Sequence, residues 1–342
     1  SDGLLGAAES YIEGEWVSEE LTDLFRVLLK NEHVLTKVSS PLTRLSQLRH
    51  RWQHFRNRNS RAGSRRNIQE HYDLGNDFFR LFLDPTMLYS SAIFPSDQSS
   101  LEEGSIEKID RVCRMLKLQP DEEVIEIGSG WGAFAVHAAS RYGCRITTTT
   151  ISDEQFRMTS ERVQQAGLGD RVTVLKRDYR DLDGQYDKLV SIEMIEAVGR
   201  KYLPGYFRKC GELLKDDGAM MIQAITLPEQ RYAGYEDSVD FIQKYIFPGG
   251  FLPSISMMQR HIVEETSLRL ISMDDFGLHY ARTLRLWNER FHEQLDAVRA
   301  LGFSERFIRM WRYYLCYCEA AFLERAIGLV QVLWAKPASA LR

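Results

Sequence analysis

The strongest constraint on the fold is a glycine-rich turn between an apolar run and a helical stretch. Residues 124–139 read VIEIGSGWGAFAVHAA, with glycines at positions 128, 130 and 132. Alternating glycines let the backbone turn sharply from a strand into a helix and let a ligand approach the main chain closely. The turn therefore predicts a strand-loop-helix unit that holds a nucleotide-like ligand.

The chain around this turn alternates between short apolar runs and helical stretches. The apolar runs are VIEI at 124–127, CRITTTTI at 144–151, RVTVL at 171–175, KLVSI at 188–192 and AMMIQAI at 219–225. Such alternation predicts an α/β fold with a doubly wound parallel sheet, whose ligand binds at the carboxyl ends of the strands. Further on, the pattern predicts a long helix over about 280–300, a helix starting near Ser304 and a final strand in LVQVLWAKP.

The first 68 residues differ in character from the rest. Leucines and a phenylalanine at helical spacing predict an amphipathic helix over 21–29 that Ser18 caps, and residues 44–66 contain eight arginines and no acidic residue. We therefore predict a helical N-terminal domain over 1–68 and a catalytic domain over 69–342. The basic segment is either a solvated linker or a surface for anionic lipid headgroups, where each arginine contributes on the order of 1 kcal/mol.

Composition narrows the possible partners. The net charge is -4, from 44 basic and 48 acidic residues, so nothing global favours a nucleic-acid partner. The five cysteines lack the paired spacing of a zinc site, so we expect no metal and a reducing, cytoplasmic location. The longest apolar runs are far short of the roughly 20 residues that span a bilayer, so any contact with the inner face of the cell membrane should be peripheral.

An acidic residue before the glycines separates two possible ligands. GSGWGA at 128–133 fits the loose dinucleotide fingerprint, but an NAD site needs a carboxylate at the end of the second strand, where this chain reads TTTTIS. Glu126 instead gives E-x-G-x-G-x-G, which resembles motif I of the S-adenosylmethionine (SAM)-dependent methyltransferases. We therefore predict SAM as the ligand, held by Glu126 and by Gly128, Gly130 and Gly132.

Further segments resemble one family over almost the whole chain. They are GAAESYIEGEW at 6–16, HYDLGNDFFRLFLD at 71–84, MLYSSA at 87–92, TISDEQ at 150–155, DYRDL at 178–182, EMIEAVG at 193–199, YIFPGGFLPS at 245–254 and FGLHY at 276–280. Together they resemble the cyclopropane fatty acid synthase family. The resemblance implies a Rossmann-like class I methyltransferase fold, an unsaturated phospholipid substrate, a homodimer, and methyl transfer from SAM to a cis double bond followed by closure of a cyclopropane ring.

The same resemblance implies specific contacts with SAM. The methionyl end would lie between Gly128 and Gly130 on one side and a second group, Tyr72, Tyr89 and Ser90, on the other. The ribose hydroxyls would bind Thr150 and Gln155, and the adenine would lie near Asp178 and Tyr179. For Tyr72 and Tyr89 the alternative is an ordinary buried aromatic with a hydrogen-bonded hydroxyl.

For the chemical step, the resemblance implies a bound bicarbonate ion as the base. The family holds it with a cysteine, a glutamate, a histidine, an isoleucine main chain and a tyrosine; here these positions are Ser91, Glu196, Gln223, Ile225 and Tyr280. Ser91 and Gln223 depart from the family pattern, although both still donate hydrogen bonds. Glu196 would have to accept from the ion or from a neighbouring donor, since two bare negative charges in contact would not coexist.

The departures leave the product open. Methylation of an alkene leaves a carbocation, which needs a dry pocket with aromatic faces; Tyr245, Phe247, Phe276 and Tyr280 are candidates for its lining. We predict ring closure, with a methyl-branched, methylene-bearing chain as the alternative if the anion is weakly held. A small-molecule C-methyltransferase and a non-catalytic lipid- or nucleotide-binding module are the competing classes.

Overall fold

The computed structural model of the chain describes residues 4–31, 63, 74–235 and 240–341. Its strands are β1 (Glu123–Ile127), β2 (Arg145–Thr150), β3 (Val172–Lys176), β4 (Tyr186–Ile192), β5 (Leu214–Thr226), β6 (Arg269–Asp275) and β7 (Gly328–Ala335). They form one sheet in the order β3-β2-β1-β4-β5-β7-β6, in which β1 to β5 pair in parallel and β7 is antiparallel between β5 and β6. The predicted doubly wound, Rossmann-like α/β fold is confirmed.

Helices cover the sheet and extend beyond it. In the described ranges they are α1 (Leu4–Ile12), α2 (Leu21–Lys30), α3 (Asn76–Arg80), α4 (Leu101–Met115), α5 (Ala133–Tyr142), α6 (Asp153–Gln165), α7 (Leu203–Glu212), α8 (Glu229–Tyr235), α9 (Ile255–Glu265), α10 (Gly277–Glu293), α11 (Leu295–Ala300) and α12 (Glu305–Leu323). Short 3-10 turns lie at Tyr179–Asp181, Ile195–Ala197 and Arg200–Tyr202, and a π-helical turn lies at Ile242–Ile246. None of the helices that the structure describes combines the length and apolarity needed to cross a bilayer.

Serine side chains cap several of these helices. Ser152 accepts from the main chain at the start of α6, and Ser304 does the same for α12, which confirms the predicted start near residue 304. The predicted Ser18 cap is wrong. Helix α2 begins after Glu20, whose side chain makes no capping hydrogen bond.

Helices α1 and α2 pack against α12. The Phe25 ring lies 4.7 Å from Tyr313 and 5.6 Å from Tyr317, measured between ring centroids, and Thr22 donates a hydrogen bond to Glu319. Phe25 and Tyr313 belong to the same apolar cluster as Tyr280, one of the predicted catalytic residues. The predicted N-terminal helix is present, whereas the arginine segment and the boundary at residue 68 lie outside the described residues, so the domain division stays a prediction.

Replacing Phe25 with alanine should lower the free energy of unfolding by about 3 to 5 kcal/mol, because it empties a buried aromatic site. Val27→Ala on the same helix is the matched control, since Val27 is 58% exposed and Phe25 only 3%. The control should change the free energy by less than about 0.5 kcal/mol. Urea unfolding followed by fluorescence measures both, and equally small effects would show that α2 contributes little to the core.

Candidate active site

The glycine loop lies at the carboxyl end of β1, directly before α5. Gly128, Gly130 and Gly132 have φ angles of +100°, +49° and +87°. A Cβ atom on Gly132 would come within 2.8 Å of Thr159 Cγ2, whereas one on Gly130 would meet no atom within 4 Å. Residue 132 must therefore be glycine to let α6 approach, while open space remains in front of Gly130.

Glu126 lies buried near the end of β1, with 3% of its surface exposed. Its Oε2 accepts a hydrogen bond of 2.5 Å from Thr148 on the neighbouring strand. Burial raises the pKa of this carboxyl to about 8, although Thr148 and the positive charge of Lys108 lower it. Glu126 is thus placed beside the loop as predicted, and its contact with a ligand stays a prediction.

Lys108 on α4 is a buried cation that we did not predict. Its Nζ donates to Ser90 Oγ over 2.7 Å, and burial lowers its pKa to about 8. The negative charges of Glu193 and Glu126 are near enough to oppose that shift. Position 108 shares the buried face of α4 with Val112, four residues on, and this helical spacing was the signal that could have identified it.

Three of the predicted catalytic residues donate hydrogen bonds to the side chain of Glu193. Oε1 accepts from the Ser91 main-chain N–H at 2.9 Å and from Gln223 Nε2 at 2.6 Å, and Oε2 accepts from the Tyr280 hydroxyl at 2.7 Å. Glu193 follows β4 directly and has a φ of +48°, a left-handed conformation that is uncommon for a residue with a side chain. The motif EMIEAVG contains two glutamates, and the family resemblance implies a role only for Glu196.

Three of the groups that we predicted to hold bicarbonate, Ser91, Gln223 and Tyr280, thus already donate to a carboxyl group of the chain itself. Burial raises the pKa of Glu193, whereas Lys108 and the three hydrogen-bond donors lower it. The Ser91 hydroxyl, which we predicted as a donor to the ion, donates instead to the main-chain oxygen of Ala92. The arrangement does not fit a further anion at the same point.

Glu196 lies next to this cluster in the turn at Ile195–Ala197. One carboxyl oxygen accepts from the Ile225 N–H at 2.6 Å, which joins two of the predicted residues, while Oε2 is buried without a hydrogen-bond partner. Burial, and then repulsion by Glu193, raises its pKa to about 8. A buried carboxyl oxygen without a partner is unusual and indicates a place where a ligand can form a hydrogen bond.

The predicted ribose and adenine contacts follow the next two strands. Thr150 Oγ1 donates to Gln155 Oε1 at 2.8 Å at the end of β2. Asp178 and Tyr179 follow β3, and the Asp178 carboxylate accepts from the Arg180 guanidinium at 2.6 Å. Since parallel strands end at the same edge of a sheet, these residues lie along the edge that carries the glycine loop.

An aromatic group adjoins Glu193 through Tyr280. The hydroxyls of Tyr89 and Tyr314 share a hydrogen bond of 3.0 Å. The Trp287 ring lies 5.3 Å from Tyr89 and 6.1 Å from Tyr280, and Phe247 lies 6.1 Å from Tyr314. The structure therefore brings two predicted lining residues and one predicted cofactor residue into a single aromatic wall.

Two other predicted lining residues contact different partners. Tyr245 donates its hydroxyl to Glu9 on α1 at 2.7 Å, and the Phe276 ring lies 4.9 Å below the Arg111 guanidinium. Tyr72 lies outside the described residues. The lining role of Tyr245 and Phe276 and the cofactor role of Tyr72 stay predictions.

Known proteins resemble the chain over most of its length. The family model described as mycolic acid cyclopropane synthetase matches residues 59–332. The tuberculostearic acid methyltransferase UfaA1 of Mycobacterium tuberculosis is 44% identical over 340 residues, which cover 96% of this chain and 78% of that protein. The cyclopropane-fatty-acyl-phospholipid synthase of Escherichia coli K12 is 38% identical over 349 residues, which cover 98% and 84%.

A solved structure shares the fold. The mycolic acid cyclopropane synthase CmaA1, complexed with SAH and CTAB, gives a TM-score of 0.74 at 32% identity, covering 80% of this chain and 98% of that one. SAH is what SAM becomes when it gives up its methyl group. The protein with the shared fold therefore binds a ligand of the kind that the glycine motif predicts.

Replacing Glu196 with glutamine should stabilise the protein at alkaline pH. Between its unfolded pKa near 4.5 and its folded pKa of about 8, the folded carboxyl keeps a proton that the unfolded chain loses. The free energy of unfolding of the wild type therefore falls as pH rises through this window, and glutamine removes that loss while still accepting from Ile225. The variant should gain about 1 to 3 kcal/mol at pH 8 and nothing at pH 4.

Urea unfolding at both pH values measures the gain. Glu102→Gln, on the exposed face of α4, is the control and should change neither value appreciably. A gain for Glu196→Gln of the same size at pH 4 and pH 8 would contradict the assignment of a raised pKa to this carboxyl.

Proposed function

Because the chain belongs to the mycolic acid cyclopropane synthetase family of SAM-dependent lipid methyltransferases, we propose that it methylates the cis double bond of a phospholipid acyl chain and uses Glu193 as the base. The observation that carries the proposal is the half-buried Glu193 carboxylate among three donors, Ser91, Gln223 and Tyr280. An anion in that place can take a proton from the newly methylated chain.

The substrate class is supported by the relatives' names. One relative is named for cyclopropane fatty acyl phospholipid, and another for tuberculostearic acid, which carries a methyl branch. Both names describe an acyl chain that has gained one carbon. This favours an unsaturated acyl chain over a soluble small molecule as the substrate.

The chemistry requires a dry pocket with aromatic faces. SAM supplies an electrophilic methyl group when it is bound. The alkene that accepts this group becomes a carbocation, so the surrounding residues must exclude water and present π electrons. Buried Tyr280, Tyr314 and Trp287 can do both.

Glu193 takes the place that we predicted for bicarbonate. A carboxylate has about four lone-pair positions, three of which accept hydrogen bonds here, so one remains for a substrate proton. A separate bicarbonate ion would place a second negative charge against Glu193 in a site that also contains Glu196. The base is therefore part of the chain.

We expect a methyl-branched, methylene-bearing product. The relative that is 44% identical over 340 residues is named for a methyl-branched acid, which supports a route in which proton removal from the new methyl group is slow. A hydride then has time to move from the methyl-bearing carbon to its cationic neighbour, which leaves the positive charge on the methyl-bearing carbon. Loss of a methyl proton to Glu193 gives an exocyclic double bond and no ring.

Ring closure is the second candidate and was our prediction from the sequence. The 38% identity with the Escherichia coli synthase favours it. On this route Glu193 removes the methyl proton before any hydride moves, and the electrons of the C–H bond form the third side of the ring. Both routes take one proton from the same methyl group, so both use the same base.

The cofactor would lie along the carboxyl ends of β1, β2 and β3. Its ammonium group would meet Glu126, and the open space at Gly130 would admit the methionyl part. Burial and a depressed local dielectric make such a charge pair stronger than in water. The full set of proposed contacts is Tyr72, Tyr89, Ser90, Glu126, Gly128, Gly130, Gly132, Thr150, Gln155, Asp178 and Tyr179.

An acyl substrate places the enzyme at a membrane. We propose a cytoplasmic homodimer that associates peripherally with the inner face of the cell membrane, with the arginine segment 44–66 against anionic headgroups. The sequence and the family resemblance support these points. Each arginine near the surface would contribute on the order of 1 kcal/mol to binding.

Glu193→Gln should lower kcat by about 100- to 10,000-fold, because glutamine keeps the shape of the side chain but cannot take a proton. The affinity for SAM should stay at the wild-type value. Transfer of labelled methyl groups from SAM to vesicles of unsaturated phospholipid measures the rate, and calorimetry measures the affinity. Undiminished turnover of the variant would exclude Glu193 as the base.

Proton NMR of the lipid product distinguishes the two candidate routes. Signals of an exocyclic methylene group would establish branched methylation, and high-field cyclopropane signals would establish ring closure.

The variant Glu193→Gly tests whether the base is part of the chain. Glycine adopts a φ of +48° freely, and the change exposes the donors of Ser91, Gln223 and Tyr280. Added bicarbonate should restore part of the turnover of that variant and leave the wild type unaffected; equal stimulation of both would contradict a tethered base.

SAM binding should release a proton at pH 7. Glu126, with a pKa of about 8, is largely protonated before binding and must ionise to accept from an ammonium group. Affinity should therefore rise with pH up to about 8, and the calorimetric enthalpy should depend on the buffer. Glu126→Gln should weaken binding by about 1.5 to 3 kcal/mol and abolish the proton release, and a buffer-independent enthalpy in the wild type would contradict the contact.

A further inference from the structure

A row of polar side chains crosses the antiparallel part of the sheet behind Glu193. Gln223 on β5 lies opposite Gln331 on β7, and Gln331 lies opposite Asp274 on β6. Gln223 is 0% exposed and Gln331 is 1% exposed. Side-chain amides buried to this degree are almost always hydrogen-bonded. The partners of these two amides therefore indicate the role of the row.

Hydrogen bonds connect this row from the surface to Glu193. Gln331 Nε2 donates to Gln223 Oε1 at 2.9 Å, and Gln223 Nε2 donates to Glu193 at 2.6 Å. Arg111 on α4 donates to Gln331 Oε1 at 2.6 Å and to the Asp274 carboxylate at 2.7 Å. The Asp274 side chain is 46% exposed, so the row begins at the protein surface.

Arg111 fixes the direction of every hydrogen bond in the row. A guanidinium group only donates, so Gln331 must turn its carbonyl toward Arg111 and its N–H toward Gln223. Gln223 must then turn its carbonyl toward Gln331 and its N–H toward Glu193. Reversal of either amide would bring two carbonyls or two N–H groups together in a buried site, which costs the full desolvation of those groups.

We propose that Arg111 and Gln331 are positioning residues that hold the Gln223 amide with its N–H toward Glu193 and so keep this base ionised. The inference rests on the proposed role of Glu193 in proton removal. Arg111 and Gln331 act through Gln223.

The other charged and titratable groups that face Glu193 set the background for this effect. They are Lys108, Glu196, Tyr280 and Tyr314. Burial is the largest influence that raises the pKa of Glu193, and donation by Gln223 is one of the influences that lower it. A reversed amide would offer an oxygen that only protonated Glu193 can donate to. The pKa of Glu193 would rise, and less of the enzyme would carry a ready base at neutral pH.

The test changes the two positioning residues with matched controls. Gln331→Glu keeps an acceptor for Arg111 but removes the donor toward Gln223, whose amide should then reverse. Arg111→Met removes the group that fixes the direction, and Arg111→Lys restores a group that only donates. Arg114→Met on the same helix is the control, because its ion pairs lie outside the row.

Two measurements keep this inference separate from the proposed function. Infrared difference titration of the full chain without substrate follows Glu193 directly, with Glu193→Gln to identify its band. Methyl transfer to phospholipid vesicles as a function of pH follows the base in turnover. Arg111→Met and Gln331→Glu should raise the pKa of Glu193 by about one unit and move the pH profile of kcat upward by the same amount. Arg111→Lys should restore the wild-type profile, and Arg114→Met should leave it unchanged.

An unshifted Glu193 titration in both Arg111→Met and Gln331→Glu would overturn the inference, whatever the rate. A lower rate with an unshifted pH profile would overturn it as well, since the row would then serve only the stability of the sheet. A shifted titration in a protein that methylates no phospholipid would overturn the proposed function and support the positioning. If Gln331→Glu fails to fold, Arg111→Met alone provides the test. Arg111 is partly exposed, so its replacement should disturb folding less.

Discussion

The pocket depends on one buried ammonium group, that of Lys108. Glu126 is buried and Glu193 is half-buried, and the positive charge of Lys108 opposes the rise in pKa that burial causes in both carboxyl groups. Ser90 fixes the ammonium by accepting from it. A single compensating charge therefore serves two sites, the carboxylate proposed to meet the cofactor and the carboxylate proposed to remove the proton.

The sheet brings the two sites together because their residues follow neighbouring strands. Glu126 lies near the end of β1, and Glu193 follows β4, which pairs with β1 on one side and with β5 on the other. Buried polar groups of this kind lower the stability of a domain. The aromatic cluster around Trp287 and Trp311, to which the N-terminal helices also contribute, offsets that loss.

The sequence was sufficient for the parallel sheet, the glycine loop and the family, because these depend on local periodicity and on contiguous motifs. It was not sufficient to distinguish Glu193 from Glu196. The two carboxylates lie three residues apart in one motif, and which of them faces Ser91 depends on the left-handed backbone at position 193.

The sequence did not reveal Lys108 or the row of polar side chains that Arg111 joins, for a related reason. Lys108 and Arg111 lie on a helix whose charged residues look solvated in the sequence, and the other members of the row come together only because β7 inserts between β5 and β6. No local pattern encodes that strand order. Ser18 shows the opposite error, since a good capping residue two positions before Glu20 is left unused.

The left-handed backbone at Glu193 has a consequence for the physiology of the enzyme. With the proposed base covalently part of the chain, turnover would not follow the carbon dioxide tension around the cell, as it would in an enzyme that draws its base from dissolved inorganic carbon. Glycine is the residue that tolerates this backbone best, and one nucleotide separates glutamate codons from glycine codons. A point mutation at this codon is therefore a short evolutionary path between gas-sensitive and gas-insensitive lipid modification.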